Sequence, residues 1–452
     1  MVDTKRAVAS DSDAIPLPSP PLLTETPTKG RWVILFLLAM MYLICYMDRS
    51  NFSVAAPEIS KSFGLDKTAM GFLLGIFTWG YALGQVPAGW MGDRFGPRKV
   101  LTIIMVWRAI AITLTGAAVG MASLVTARAF LGLGEAGAFP VASRGMQVWF
   151  KKSERGRCQG TTHLFSRLAV VITPFVAGPI MVSLGWRWVF YIFGSVGVVW
   201  ALIFVLYYRN RPEEHHSVNR AELAEIRGLN PDGTIKTLST ARQKTPWGTI
   251  LGSPNMWFIA LGYCCFFFGT NFYLTWYPTY LREYRHMSLM QLGIFGSVPL
   301  IAGMCGDLVG GAMSDFFVRK TGSAKLGRRL VAAPGFILAG LFIVPAAMTT
   351  TPWISIALLS LSFFCLEWVI GPAWAVPMDV GGAFSGTVTG VMNMMGAFAA
   401  SLTAVIYGAL FNRNYWVAPF VVSAGVMFLG ALIWIFLIDP EKSVVDRPGA
   451  TV

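Results

Sequence analysis

Asp48 and Arg49 stand side by side in the apolar run "YLICYMDRSNFSVA" (42–55), and Arg128 and Glu135 stand seven residues apart in a second, "RAFLGLGEAGAFP" (128–140). A charge at mid-helix in a bilayer costs about 2.5 to 3.5 kcal/mol even on a lenient insertion scale, so each needs a partner, an aqueous cavity or a task. Seven residues make two helical turns, which puts Arg128 and Glu135 on one face about 10.5 Å apart along the axis. If the two runs cross in opposite directions, Asp48 and Arg49 fall near the depth of Arg128. An arginine fork grips a carboxylate with two parallel hydrogen bonds, so Arg49 and Arg128 are candidates for holding an anion. Burial and a neighbouring arginine pull the proton affinity of Asp48 and Glu135 in opposite senses. Their proton occupancy should then depend on whether an anionic substrate is present. The competing use of such a set is a salt-bridge network that only fixes helix packing.

The elements that must position these groups are helices in a membrane. Of 452 residues, 55% are hydrophobic and 13% charged, about half the charge of a soluble domain. Apolar runs of roughly twenty residues, long enough to cross a ~30 Å hydrocarbon core, recur twelve times between residues 32 and 438. Residues 1–30, rich in Pro, Ser, Thr and Asp, read as a disordered tail; no apolar stretch follows the first charges, so no signal-peptide cleavage is expected. A polar, basic break at 209–252, with a helix-like patch "NRAELAEIRGL" and a turn "NPDG", separates six spans (31–208) from six more (253–438), and 439–452 form a second tail.

Orientation follows from the loops. With both termini in the cytoplasm, 25 of the 36 Lys and Arg fall on the cytoplasmic side and six outside, which settles a multi-pass protein of the cell membrane with both tails inside. The net charge of +13 is thereby topology and calls for no nucleic acid. The six cysteines read as small buried side chains, and the four histidines are too scattered for a metal site. No cofactor is expected, and a monomer is.

The two halves repeat. "GWMGDRFGPRK" (89–99) follows the second span and "GAMSDFFVRK" (311–320) the eighth; "GEAGAFP" (134–140) in the fourth span matches "GPAWAVP" (371–377) in the tenth. Paired matches in corresponding helices argue for duplication of a six-helix unit, with a substrate site near the midplane between the halves.

The loop "GWMGDRFGPRK" resembles the signature loop of the major facilitator superfamily, departing from it at Pro97, where the family has a basic residue. "CYMDRSNFSVA", "RAFLGLGEAGAFP", "LTWYPTYL" and "GVMNMMG" resemble more narrowly its anion:cation symporter branch, which includes hexuronate, glucarate and galactonate carriers, sialin and the vesicular glutamate transporters. The resemblance implies an all-α fold of twelve transmembrane helices, two six-helix bundles related by a pseudo-two-fold axis. It also implies roles: Arg49 for the substrate carboxylate, Glu135 and Asp48 for proton coupling, Tyr81, Trp374 and Asn393 as substrate-contacting groups. Asp93, Arg94 and Arg98 would form a cytoplasmic latch between helices.

Five more charges within the spans have other readings. Arg108 and Arg144 lie close enough to the cytoplasmic side to snorkel or pair locally, whereas Arg167 at mid-helix must line the cavity or pair with an acid. Asp307 and Glu367 are read as structural or peripheral. The expectation is a secondary transporter, not an enzyme: proton-coupled symport of a small organic anion, foremost a sugar acid of hexuronate, glucarate or galactonate type. An exchanger, or a carrier of an aromatic acid, dicarboxylate, glutamate or phosphate, is the alternative; a receptor without transport or a membrane enzyme is remote.

Overall fold

The computed structural model describes residues 25–229, 234–235, 244–288, 291 and 295–446. Most of the N-terminal tail, the "NPDG" turn and the last six residues lie outside these. Among the described residues, eleven helices are long and apolar enough to cross a membrane. The twelfth span is the fourth, expected as one helix and found as two, Met121–Glu135 and Ala138–Trp149. Pro140 explains the break, because it has no N–H for the Ala136 carbonyl and its ring crowds that carbonyl.

The tenth span breaks likewise, into Pro352–Glu367 and Ile370–Val380, but one turn earlier in the register of the repeat. Pro372, which stands where the fourth span has Glu135, withdraws the N–H that the Trp368 carbonyl would take. The two outer half-helices therefore both end on a glutamate, Glu135 and Glu367.

The first span is Gly30–Phe63, the second Lys67–Phe95, the third Pro97–Gly116, the fifth Arg155–Leu184 and the sixth Trp186–Tyr207. Beyond the linker, the seventh runs Pro254–Tyr284, the eighth is Val298–Thr321, the ninth Ala324–Met348, the eleventh Ser385–Asn412 and the twelfth Ala418–Leu437. Within the first six, first packs on fifth, second on fourth and third on sixth; the last six repeat this as seventh on eleventh, eighth on tenth and ninth on twelfth. The halves meet where the second packs on the eleventh and the fifth on the eighth, as a pseudo-two-fold axis requires. Large apolar side chains such as Phe36, Trp79, Phe175 and Leu206 are exposed on the outer surface, which suits lipid rather than water.

Residues 26–30, expected within the disordered tail, are held in place. Glu222, on the linker helix Arg220–Arg227, is fully buried and accepts from the backbone N–H groups of Gly30 and Arg31 (both 3.0 Å) and from the Thr28 hydroxyl (2.6 Å). It caps the N-terminus of the first span, and Asn219 in turn caps the linker helix. The C-terminal stretch returns to this same basic face, where Lys325 pairs with Asp439 at 2.7 Å and the N–H of Val444 donates to the Val380 carbonyl.

Candidate functional site

A cavity of about 130 Å³ lies between the halves at mid-depth, lined by Arg49, Tyr81, His163, Arg167, Trp374 and Asn393 among others. Four of the five expected substrate-contacting residues thus come together from the first, second, tenth and eleventh spans. The polar tips are held: Asn393 Nδ2 donates to Tyr81 Oη (3.3 Å) and to Gln85 Oε1 (2.5 Å), and Trp374 Nε1 donates to Tyr263 Oη (2.8 Å). These bonds cross the interface between the bundles in the case of Asn393.

Arg49 is one of two arginines lining the cavity among the described residues, with Arg167. Its Nε donates to Glu135 Oε1 at 2.8 Å and its Nη2 lies 2.7 Å from the same oxygen. Tyr81, Tyr46, Phe77 and Phe139 surround the guanidinium with ring centroids at 4.3 to 5.4 Å. Glu135 is wholly buried whereas the Arg49 side chain keeps 23% of its surface exposed, so an anion in the cavity can reach the arginine and not the acid. Glu135 holds this depth because it ends the outer half of the broken fourth span.

Asp48 points elsewhere. Adjacent residues diverge by about 100° around a helix, and Asp48 turns away from Arg49 to pair with Arg108 of the third span, both fully buried. Arg128 is also outside the cavity lining: it sits over Phe52 and Phe77, 4.2 and 4.7 Å from the ring centroids, with its Nε donating to the Leu73 carbonyl at 3.4 Å. Phe77 packs against both this guanidinium and that of Arg49. The expected four-charge cluster is therefore two ion pairs on different faces of the first span plus a cation resting on aromatic rings.

Below the cavity the halves are latched on the basic face. Asp93 accepts from the backbone N–H groups of Gly386 (2.9 Å) and Thr387 (2.6 Å) and from the Thr387 hydroxyl (2.7 Å), capping the eleventh span. Asp315, its counterpart in the repeat, accepts from the N–H groups of Gly156 (3.0 Å) and Arg157 (2.6 Å), capping the fifth span. Each loop aspartate thus caps a helix of the opposite bundle, where the dipole favours negative charge. A Cβ on Gly386 would strike Asp93 and the Gly89 carbonyl, so the close approach requires glycine there. Arg94 and Arg98 stay within their own bundle, Arg94 over Trp90 and Phe95, Arg98 on the Val205 carbonyl. Arg144 lies 3.8 Å from Asp93 and donates to the Gly382 carbonyl, and Arg155 pairs with Asp379 at 2.7 Å.

The hydrogen bonds and ion pairs described between the halves run from Asn393 and Glu367 at mid-depth down to this face. The halves are thereby held together on the basic side of the cavity. Sequence reasoning did not find Arg108 as the partner of Asp48, nor His163, Tyr263 and Gln85 as groups of the site. The spacing of Asp48 in one span says nothing of a partner 60 residues on.

Residues 38–404 match the description of the Major Facilitator Superfamily. The chain is 38% identical over 421 residues to the probable sulfoacetate transporter SauU of Cupriavidus necator, covering 93% of this chain and 96% of that protein. It is 32% identical over 435 residues to the probable galactarate/D-glucarate transporter GudP of Bacillus subtilis, covering 92% and 94%. Its fold is similar to that of the proton:xylose symporter XylE, with a TM-score of 0.71 at 14% identity over 92% of this chain and 98% of that one.

Proposed function

The chain belongs to the Major Facilitator Superfamily, and from that premise we propose that it carries a small organic anion across the cell membrane by alternating access, in symport with protons. Both termini and the latched basic face are cytoplasmic on this reading, as the distribution of Lys and Arg requires. The working unit on this reading is a monomer, with the lining residues supplied by both bundles of one chain.

The observation that carries the reading is the Arg49–Glu135 pair at the edge of the cavity. A substrate carboxylate or sulfonate competes with Glu135 for the guanidinium. If it wins, Glu135 is left as a buried, unpaired carboxylate, and taking up a proton is the least costly remedy. Anion and proton then enter together and the local charge is unchanged. Asp48 is the second coupling acid, acting through its pair with Arg108.

Tyr81, Asn393 and Trp374 offer a hydroxyl, an amide and an aromatic face, which suits the hydroxyls and C–H edges of a sugar acid. A second reading has a specific observation in its favour: about 130 Å³ is small beside ordinary ligand pockets, and a two-carbon sulfonate such as sulfoacetate needs less room than a six-carbon aldarate. Uptake of labelled D-glucarate, D-galactonate and sulfoacetate into liposomes containing the purified protein, with and without an inward proton gradient, tests all of this. A gradient should drive accumulation of one of them. Uptake that ignores the proton gradient but needs internal anion would replace symport by exchange.

A further inference from the structure

The mechanism above leaves three buried charges unused, Arg167, Asp307 and Glu367. Arg167 projects from the fifth span of the first bundle, Asp307 from the eighth and Glu367 from the break in the tenth. Arg167 Nη2 donates to Glu367 Oε1 at 2.7 Å, and its Nε lies 4.0 Å from Asp307 Oδ2. Both carboxyl groups thus approach the one guanidinium. Both acids are wholly buried and Arg167 is 7% exposed. Among the described groups, those facing the set are Tyr46 from the first span and His163 one turn before Arg167 on the fifth. Phe363 of the tenth span, its ring centroid 5.6 Å from the guanidinium, shields one side.

Two carboxylates against one guanidinium leave an uncompensated negative charge, which an apolar interior does not tolerate. Like charges sharing a dry site do not both ionise. The hydrogen-bond pattern agrees: neither oxygen of Asp307 and not Oε2 of Glu367 has a donor, and a proton on one carboxyl supplies the missing one.

We propose that Arg167, Asp307 and Glu367 form a proton-binding site shared by the two bundles, holding one proton between the two carboxyls while the basic face is closed and releasing it when the bundles part. Release follows from the layout. The cap of Asp315 on Gly156 and Arg157 holds the eighth span on the fifth about two turns below Asp307. When that cap opens, the carboxyls leave Arg167 and meet water, where both ionise. Reloading occurs from the cavity, which Arg167 lines. This proton is additional to the one exchanged at Glu135, and it stands or falls separately from coupling at Asp48 and Glu135.

Infrared difference spectroscopy of the purified full-length protein, stepped between acid and alkaline pH without added substrate, reads the carbonyl stretch of a buried protonated carboxyl. The band should be present in the parent, lost in both Asp307→Asn and Glu367→Gln, and kept in Asp48→Asn and Glu135→Gln. A band that survives both of the first two variants overturns the proposal, as does its loss only in the second two, which would place the proton in the first bundle and leave the coupling reading intact. Where size-exclusion chromatography shows a neutral variant unfolded, Glu367→Asp and Arg167→Lys carry the test. They should keep the band and move its midpoint pH; an unmoved midpoint in both counts against a shared site.

Discussion

Glu135 engages Arg49 through one oxygen only: Oε1 accepts from Nε at 2.8 Å and lies 2.7 Å from Nη2, while Oε2 is buried with no hydrogen-bond partner. The pair is thus strong enough to hold Arg49 in an aromatic box and incomplete enough to be exchanged for a better bidentate ligand.

Arg49→Ala should abolish binding of the transported anion, and Arg49→Lys should weaken it by about 10- to 150-fold, the worth of ~1.5–3 kcal/mol for a charged hydrogen bond lost. Thermal shift against the three candidate anions measures this. Glu135→Gln should do the opposite for binding, because it removes the competitor for Arg49. In that variant counterflow of labelled anion should persist while uphill uptake on a proton gradient is lost; retained uphill uptake would remove Glu135 from the coupling.

Asp48→Asn leaves the Arg108 guanidinium buried against a neutral amide and should destabilise the protein by about 3 to 5 kcal/mol. Asp48→Asn combined with Arg108→Gln should recover most of that loss, as read by the thermal midpoint in detergent. If the recovered double variant still shows full proton-driven uptake, Asp48 has only a packing role.

The latch gives a kinetic prediction. Asp93→Asn weakens a helix cap between the bundles, a loss of about 1 kcal/mol; Asp315→Asn also takes a carboxylate partner from the buried Arg328 and should cost more. Each variant should slow transport more than it weakens binding, because the substrate cavity is untouched. Gly386→Ala should be more severe, since a methyl group there collides with Asp93 and the Gly89 carbonyl. Equal losses in affinity and rate would count against gating.

Glu222→Gln keeps the shape of the linker cap but removes its charge, and Glu222→Ala removes the cap of the first span altogether. The alanine variant should lose about 1 to 3 kcal/mol and expose the linker to limited proteolysis on the basic face, with the glutamine variant between it and the parent. Unchanged cleavage in Glu222→Ala would mean that the linker is held by other contacts.

Much of this was legible in the chain itself. Hydropathy is a local property, and runs of about twenty apolar residues must become spans whatever surrounds them; loop charge then orients them. The duplicated Gly-x-x-x-Asp loops announced two equivalent helix ends, and Asp93 and Asp315 do the same work in the structure. Arg49, Tyr81, Trp374 and Asn393, which the family resemblance of their spans implied as substrate-contacting groups, line one cavity.

The partnerships were not legible. Asp48 and Arg49 are neighbours in the chain, yet the helix turns one toward Arg108 and the other toward Glu135, while Arg128 rests on Phe52 and Phe77. Arg167 meets Glu367 across 200 residues because the fifth and tenth spans of opposite bundles touch. Which acid a buried arginine finds depends on helix rotation and on where a proline opens a span, Pro140 in one half and Pro372 in the other. Composition and spacing determined that charges sit in the membrane and in which helices. Only the packed bundle decided which charge compensates which, because a buried ion pair is set by angstrom distances between helices that no single helix contains.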